Sequence, residues 1–224
     1  MNLTKSLDYF NPLNVKHRCH IIGCGSVGST VAKLLVRLGI RNISLYDFDT
    51  VSSHNLANQM FNHKDIKRLK VDAVKDMLCS INPHAKPDIQ TFSDGWHEKT
   101  RLNGYVFLCL DNIDLRREIA TQNKSNQSIK AMFDFRTRLE DAQHYAADWS
   151  NPALVKNLLN SMDFTHEEAK ANTPVTACNV AIGVAPTVRV ICSLGVANFM
   201  NYIRKGELKK IINVDIFGFD ITAD

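Results

Sequence analysis

The sequence has no C-x-x-C pair and no dense run of cysteines. Cys19, Cys24, Cys79, Cys109, Cys178 and Cys192 stand far apart. That spacing excludes a disulfide framework and a four-cysteine structural zinc, so thiols packed in a core, a reducing compartment and no zinc are expected. No pair among the eight histidines has the spacing of a metal site. Lysine and arginine form no block: the net charge of +4 is spread along the chain, which argues against a nucleic-acid surface. The first fifteen residues lack a basic segment followed by an apolar one, so no secretory signal is read and a cytoplasmic location is expected. A single long apolar stretch, 179–200, reaches membrane-spanning length. Pro186 and Arg189 interrupt it, and a central arginine is unfavourable in lipid, so a buried core helix and no membrane contact are expected. There is no internal repeat, no low-complexity segment and no domain boundary.

What remains is ordinary for a globular protein, with 45% hydrophobic and 22% charged residues over 224 positions. That length suits one α/β domain over 1–224. Residues 19–22 read as a strand, followed by a glycine turn and a helix over 27–38 that stops at Gly39. A second strand is expected at 43–48. Over 70–81 apolar residues recur at spacings of three and four (Val71, Val74, Leu78, Ile81), which predicts a helix ended by Asn82-Pro83. Residues 105–110 are continuously apolar, as in a parallel strand buried on both faces. A helix over 112–122 and a short strand over 131–135 follow. The alternation predicts right-handed crossovers and a Rossmann-like, mostly parallel sheet flanked by helices. Beyond Asp134, antiparallel strands are expected within 139–149, polar helix and mobile loop over 152–171, the apolar helix, and a strand-like run over 211–221.

The chemistry concentrates at Gly23-Cys24-Gly25-Ser26-Val27-Gly28, between the first strand and the first helix. In that place Gly23 permits a tight turn, Gly25 lets phosphate approach the backbone, and Gly28 lets helix and strand pack closely. The helix start offers free N–H groups to an anion. Asp47 ends the second strand about twenty residues later, where a carboxylate accepts from ribose hydroxyls, and Asp49 lies beside it. These features alone allow NAD as well as ATP.

The stretch beyond separates the two nucleotides. Asp47-Phe48-Asp49-Thr50-Val51, then Asn55-Leu56-Ala57-Asn58-Gln59, then Lys70, then Asp111-Asn112 and Arg116 keep the order and spacing of a known pattern. In these motifs, over about residues 18–117 and more loosely to about 201, the chain resembles the ThiF/MoeB/HesA family. That family includes the adenylation domains of ubiquitin-activating enzymes. The resemblance implies an ATP-dependent adenylyltransferase working with Mg²⁺ on a ubiquitin-like or sulfur-carrier protein or peptide, and a homodimer. It implies that Asp47 holds the ribose, that Asn55 and Lys70 contact the triphosphate, and that Asp111 helps to hold Mg²⁺. Asp49, Asn58, Gln59, Asn112 and Arg116 complete the candidate nucleotide site, and Lys70, Asp111 and Cys178 are the candidate catalytic residues. Cys178 lies near where the ThiF branch carries a sulfur-handling cysteine. Cys24 is expected to be a packing residue. Asn58 replaces the arginine of the family's N-L-x-R-Q segment, and no basic residue precedes Lys16 from Asp8 onward; Arg136 and Arg138 are candidate substitutes. The alternatives are a catalytically impaired nucleotide-binding or scaffolding subunit, or an NAD-dependent oxidoreductase.

Overall fold

The computed structural model describes residues 1–171, 173 and 183–224. Strand β1 (Cys19–Ile22), buried along its length, leads through the glycine turn into α1 (Ser26–Arg37). Strand β2 (Ile43–Tyr46), equally buried, is followed by irregular chain and then α2 (Lys70–Ile81), which Asn82 ends. Next come β3 (Gln90–Phe92), β4 (Gly104–Leu108), α3 (Ile113–Gln122) and β5 (Ile129–Thr137). Strand β6 (Asp141–Asp148), α4 (Pro152–Asn160), α5 (His166–Ala171), α6 (Ala185–Lys205), β7 (Ile211–Asp215) and β8 (Asp220–Ala223) complete the described chain.

All eight strands form one sheet in the order β3-β2-β1-β4-β5-β6-β7-β8. The first five in that order run parallel and the last three pair antiparallel. The fold is therefore α/β and Rossmann-like, with the antiparallel strands added at one edge. Two apolar layers sandwich the sheet. One lies under α1, α2 and α6, with Val31, Leu35, Val74, Ile191 and Phe199 fully covered. The other lies under α3 and α4, with Leu108, Ile119, Met132 and Met162. Strands buried on both faces carry the continuous apolar runs that the sequence shows.

Several expectations change in detail. Strand β3 has no counterpart in the sequence reading. The second strand stops at Tyr46, short of Phe48, because Asp47 turns its carboxylate back onto the glycine turn. The stretch over 152–171 contains two short helices, α4 and α5, joined by a brief turn. The run over 211–221 is a hairpin, since Asp215 accepts from the backbone N–H of Phe217 and Gly218 at the bend. Helix α6 starts at Ala185 and buries Val188, Ile191, Cys192, Val196 and Phe199 against its own chain. Its apolar face thus packs within its own chain, and residues 179–182 of the apolar stretch expected as this helix lie outside the described residues. Among the described residues no helix is long and apolar enough to cross a membrane.

Candidate nucleotide site

In a sheet of this order the chain reverses its progression between β1 and β4, and the crevice beyond the carboxyl ends of those strands is where ligands bind. The glycine turn lies there. Gly23 has φ +90°, and a Cβ on it would stand 2.8 Å from the carbonyl oxygen of Cys109, at the end of β4. A Cβ on Gly28 would stand 1.8 Å from the carbonyl oxygen of Gly23, so only glycine lets α1 start this close to the strand. At Gly25 the nearest foreign atom is Nε2 of Gln59, 4.0 Å from where a Cβ would sit, which leaves that backbone open to a ligand.

Asp47 is built into the turn. One carboxylate oxygen accepts from the N–H of Cys24 at 2.6 Å and the other from the N–H of Asp49 at 2.8 Å. Partial burial raises its pKa, and the two amides and the nearby Lys70 charge oppose that rise. A carboxylate has about four acceptor positions, so two remain for hydroxyl groups. Lys70 opens α2 and is almost covered; its Nζ reaches Oδ2 of Asp49 at 2.7 Å, while the backbone of the pair closes through Lys70 N to Asp49 O at 2.9 Å. Asp49 therefore holds the lysine rather than standing free.

The chain over 55–60 frames the other side. Asn55 is buried, and its Oδ1 accepts from the N–H and the hydroxyl of Ser52, both at 2.9 Å, leaving its amide N–H₂ without a partner among the described residues. Gln59 places its amide at Gly25, and its Oε1 is buried with no partner among the described residues. The segment is pinned to α1, since Ser29 Oγ donates to Gly25 O at 2.6 Å and accepts from Met60 N at 3.2 Å. Asn58 points its Nδ2 toward Gly183 O, 3.5 Å away.

Across the crevice, Asp111 follows β4. It is exposed and makes no hydrogen bond or ion pair among the described residues. Asn112 caps α3, its Oδ1 accepting from Leu115 N at 3.1 Å. Arg116 faces inward: its guanidinium pairs with Asp134 and donates to Phe135 O at 2.6 Å. These contacts tie α3 to β5. Asp134 is fully buried; burial pushes its carboxyl up, but Arg116 and Arg136 together hold it below the ordinary carboxylate value. Arg136 is likewise committed, to Asp134 at 2.7 Å and to Ser161 through O at 2.7 Å and Oγ at 2.9 Å. It is not a free substitute cation. Arg138 is open to solvent, with only a 3.7 Å approach to Asp141. His54 is exposed and leans on Ser52. Cys24 is buried, and burial pushes its thiol well above the ordinary value, as expected of a packing residue. Cys178 lies outside the described residues.

Arg189 carries no site role in the sequence reading, where it serves only as an obstacle to a membrane span. Its Nη2 donates to Asn58 O at 3.0 Å and its Nη1 to Thr30 Oγ1 on α1. An arginine inside an apolar helical run is the signal that points to it.

The sequence matches the ThiF family over residues 13–222. The chain belongs to that family. Among curated proteins it is 31% identical over 128 residues to the molybdopterin-synthase adenylyltransferase of Haemophilus influenzae, a match covering 54% of this chain and 51% of that protein. It is 28% identical over 122 residues to ubiquitin-like modifier-activating enzyme 5 of Caenorhabditis elegans, covering 48% of this chain and 29% of that one. These matches thus span about half the length of the first relative and under a third of the second. The solved structure of E. coli MccB with ATP superimposes with a TM-score of 0.70 at 17% identity, over 95% of this chain and 65% of that chain. That likeness establishes the fold.

Proposed function

We propose that this ThiF-family chain is an adenylyltransferase that binds ATP in the β1/β4 crevice. A carboxylate oxygen attacks the α-phosphorus, the bond to the β-phosphate breaks, and an acyl-adenylate and pyrophosphate result. The observation carrying the proposal is a set of four different anion and cation handlers on the segments around the β1/β4 crevice. They are open backbone at Gly25, Asp47 held at the turn by Cys24 N–H, Lys70 steadied by Asp49, and the unpartnered carboxylate of Asp111. A hydroxyl-binding acid, a phosphate-binding cation and a cation-binding acid are what a nucleoside triphosphate with its metal requires. The unpartnered Oε1 of Gln59 and amide of Asn55 add polar groups that a ligand would satisfy.

Asp111 is the residue to hold Mg²⁺, which when bound neutralises charge on the phosphates. Lys70 balances the charge of the leaving pyrophosphate, and Asp47 orients the ribose. A dinucleotide has no use for a steadied lysine and a free Asp111 carboxylate together, which disfavours the oxidoreductase reading. The carboxylate acceptor is a small ubiquitin-like or sulfur-carrier protein or peptide, in keeping with the names of the relatives. Cys178 is the proposed acceptor of the activated acyl group, so Cys178→Ala should keep adenylation and lose transfer. Two copies pairing as a homodimer belong to the same reading, and a monomer by light scattering would remove that part.

The test is ATP–pyrophosphate exchange driven by candidate carrier proteins or peptides ending in a free carboxylate. Exchange that depends on the carrier and disappears in Asp111→Asn supports catalysis. ATP binding without exchange for any carrier would instead favour a nucleotide-binding or scaffolding subunit.

A further inference from the structure

Arg189 sits on the second turn of α6, half-buried between α6 and α1. Among the described residues it has no carboxylate partner: its two observed contacts are Thr30 Oγ1 and Asn58 O. Burial without a counter-charge lowers its pKa. A guanidinium carries five N–H donors, and these contacts occupy two of them. Unpaired, partly dehydrated arginines are unfavourable in a stable core, which raises the question of what the remaining donors serve.

Its neighbours answer it. Thr30 Oγ1 donates to Ser26 O at 2.7 Å, and Ser26 is the first residue of α1 after the glycine turn. Asn58 directly precedes Gln59, whose amide lies at Gly25. One turn further along α6, Cys192 Sγ lies 3.7 Å from Val27 O. The residue is thus wedged between α1 and the 55–60 segment, the two that frame the glycine turn. Lys70 is already bound to an acid, whereas Arg189 is not. We propose that Arg189 is a second cationic residue of the nucleotide site, using its free N–H groups on the β- and γ-phosphates of a nucleoside triphosphate. This rests on the adenylyltransferase reading. It goes beyond it by assigning the charge at Asn58, which has none of its own, to a residue 131 positions further along the chain.

The discriminating property is the phosphate count. A residue that merely clasps α6 to α1 would alter AMP and ATP binding alike, whereas a contact to the β- and γ-phosphates alters only ATP. Calorimetry on the full chain with Mg²⁺ therefore compares ATP with AMP for wild type, Arg189→Gln, Arg189→Lys, and Arg189→Gln combined with Asn58→Arg. Loss of one charge-assisted phosphate contact should weaken ATP binding roughly tenfold or more. AMP affinity should stay within about twofold, a level too small for a lost contact of that kind. Arg189→Lys should fall between, and Asn58→Arg should restore ATP binding by bringing a guanidinium to the same place. If wild type binds ATP and the ratio of ATP to AMP affinity is unchanged in Arg189→Gln, the proposal is overturned while the nucleotide site stands. Should Arg189→Gln not fold, an unchanged ratio of ATP to AMP affinity in Arg189→Lys overturns it equally. Wild type that binds no ATP overturns the functional reading and this inference with it.

Discussion

Replacing Asp134 by asparagine keeps the shape of the core and removes the single negative charge on which two arginines converge. Arg116 and Arg136 retain only 7% and 14% of their side-chain exposure, and Asp134 retains none. In Asp134→Asn both guanidinium groups stay buried, facing a neutral amide that can accept from one of them and offers a clashing donor to the other. Removing one member of a buried pair costs roughly 3–5 kcal/mol, mostly because the remaining charge is stranded. For a chain of this length each kcal/mol moves the melting temperature by about 2–4 °C, so a fall of roughly 6–20 °C is expected. Urea unfolding at neutral pH, with the slope m checked against wild type, measures the loss directly. The exposed pair of Arg138 and Asp141 serves as the control, since breaking it should cost under about 1 kcal/mol. An Asp134→Asn protein as stable as the Arg138→Ala control would refute the claim that Asp134 anchors α3 to β5.

Two further outcomes follow from the same geometry. Burial lowers His144, and likewise His20, from the ordinary histidine value to about 4 in the folded chain. The unfolded state therefore takes up protons first as pH falls below 6.5, so the stability these residues contribute is complete above that value. It is lost as pH drops toward 4, by roughly 3 kcal/mol per histidine; an NMR titration of His144 centred near 6.5, with flat stability between pH 6.5 and 5, would contradict this. Gly28→Ala places a methyl group 1.8 Å from Gly23 O, so the turn must move by more than an ångström. Pyrophosphate exchange should fall on the order of a hundredfold with secondary structure intact, and exchange at the wild-type rate would show that the turn is not where phosphate binds.

Local signals in the sequence carried most of the parallel half of the fold. Helix α2 follows from the spacing of Val71, Val74, Leu78 and Ile81, and it runs over the stretch those residues predict. Strand β4 is legible because a strand covered on both faces has no polar positions to break its apolar run. Strand β3 is three residues at the sheet edge, Gln90-Thr91-Phe92, too short and too polar to stand out from a loop. In the site, the placement of the glycine turn and Asp47 is readable because it depends on neighbours a few residues away or at the next strand end. Arg116 is not, because what decides its direction is Asp134, on the next element β5, and the pattern around Asp111-Asn112 carries no trace of that pairing. Arg189 is hidden for the same reason: its contacts with Thr30 and Asn58 depend on α6 packing against α1, and Thr30 lies 159 residues away in sequence. The buried core helix expected from the interrupted apolar run is α6, whose apolar face packs against the sheet and α1 of its own chain.

The central claim is that the β1/β4 crevice is a site for ATP, with Asp47 and Lys70 as its main determinants. Calorimetry with ATP and Mg²⁺, and separately with NAD, on wild type, Asp47→Ala and Lys70→Ala tests it most directly. The account predicts saturable ATP binding by wild type and much weaker binding of NAD. Each variant should lose roughly 1–3 kcal/mol of ATP affinity, the range for a buried polar partner removed. ATP affinity unchanged in both variants, or NAD bound more tightly than ATP, would contradict it.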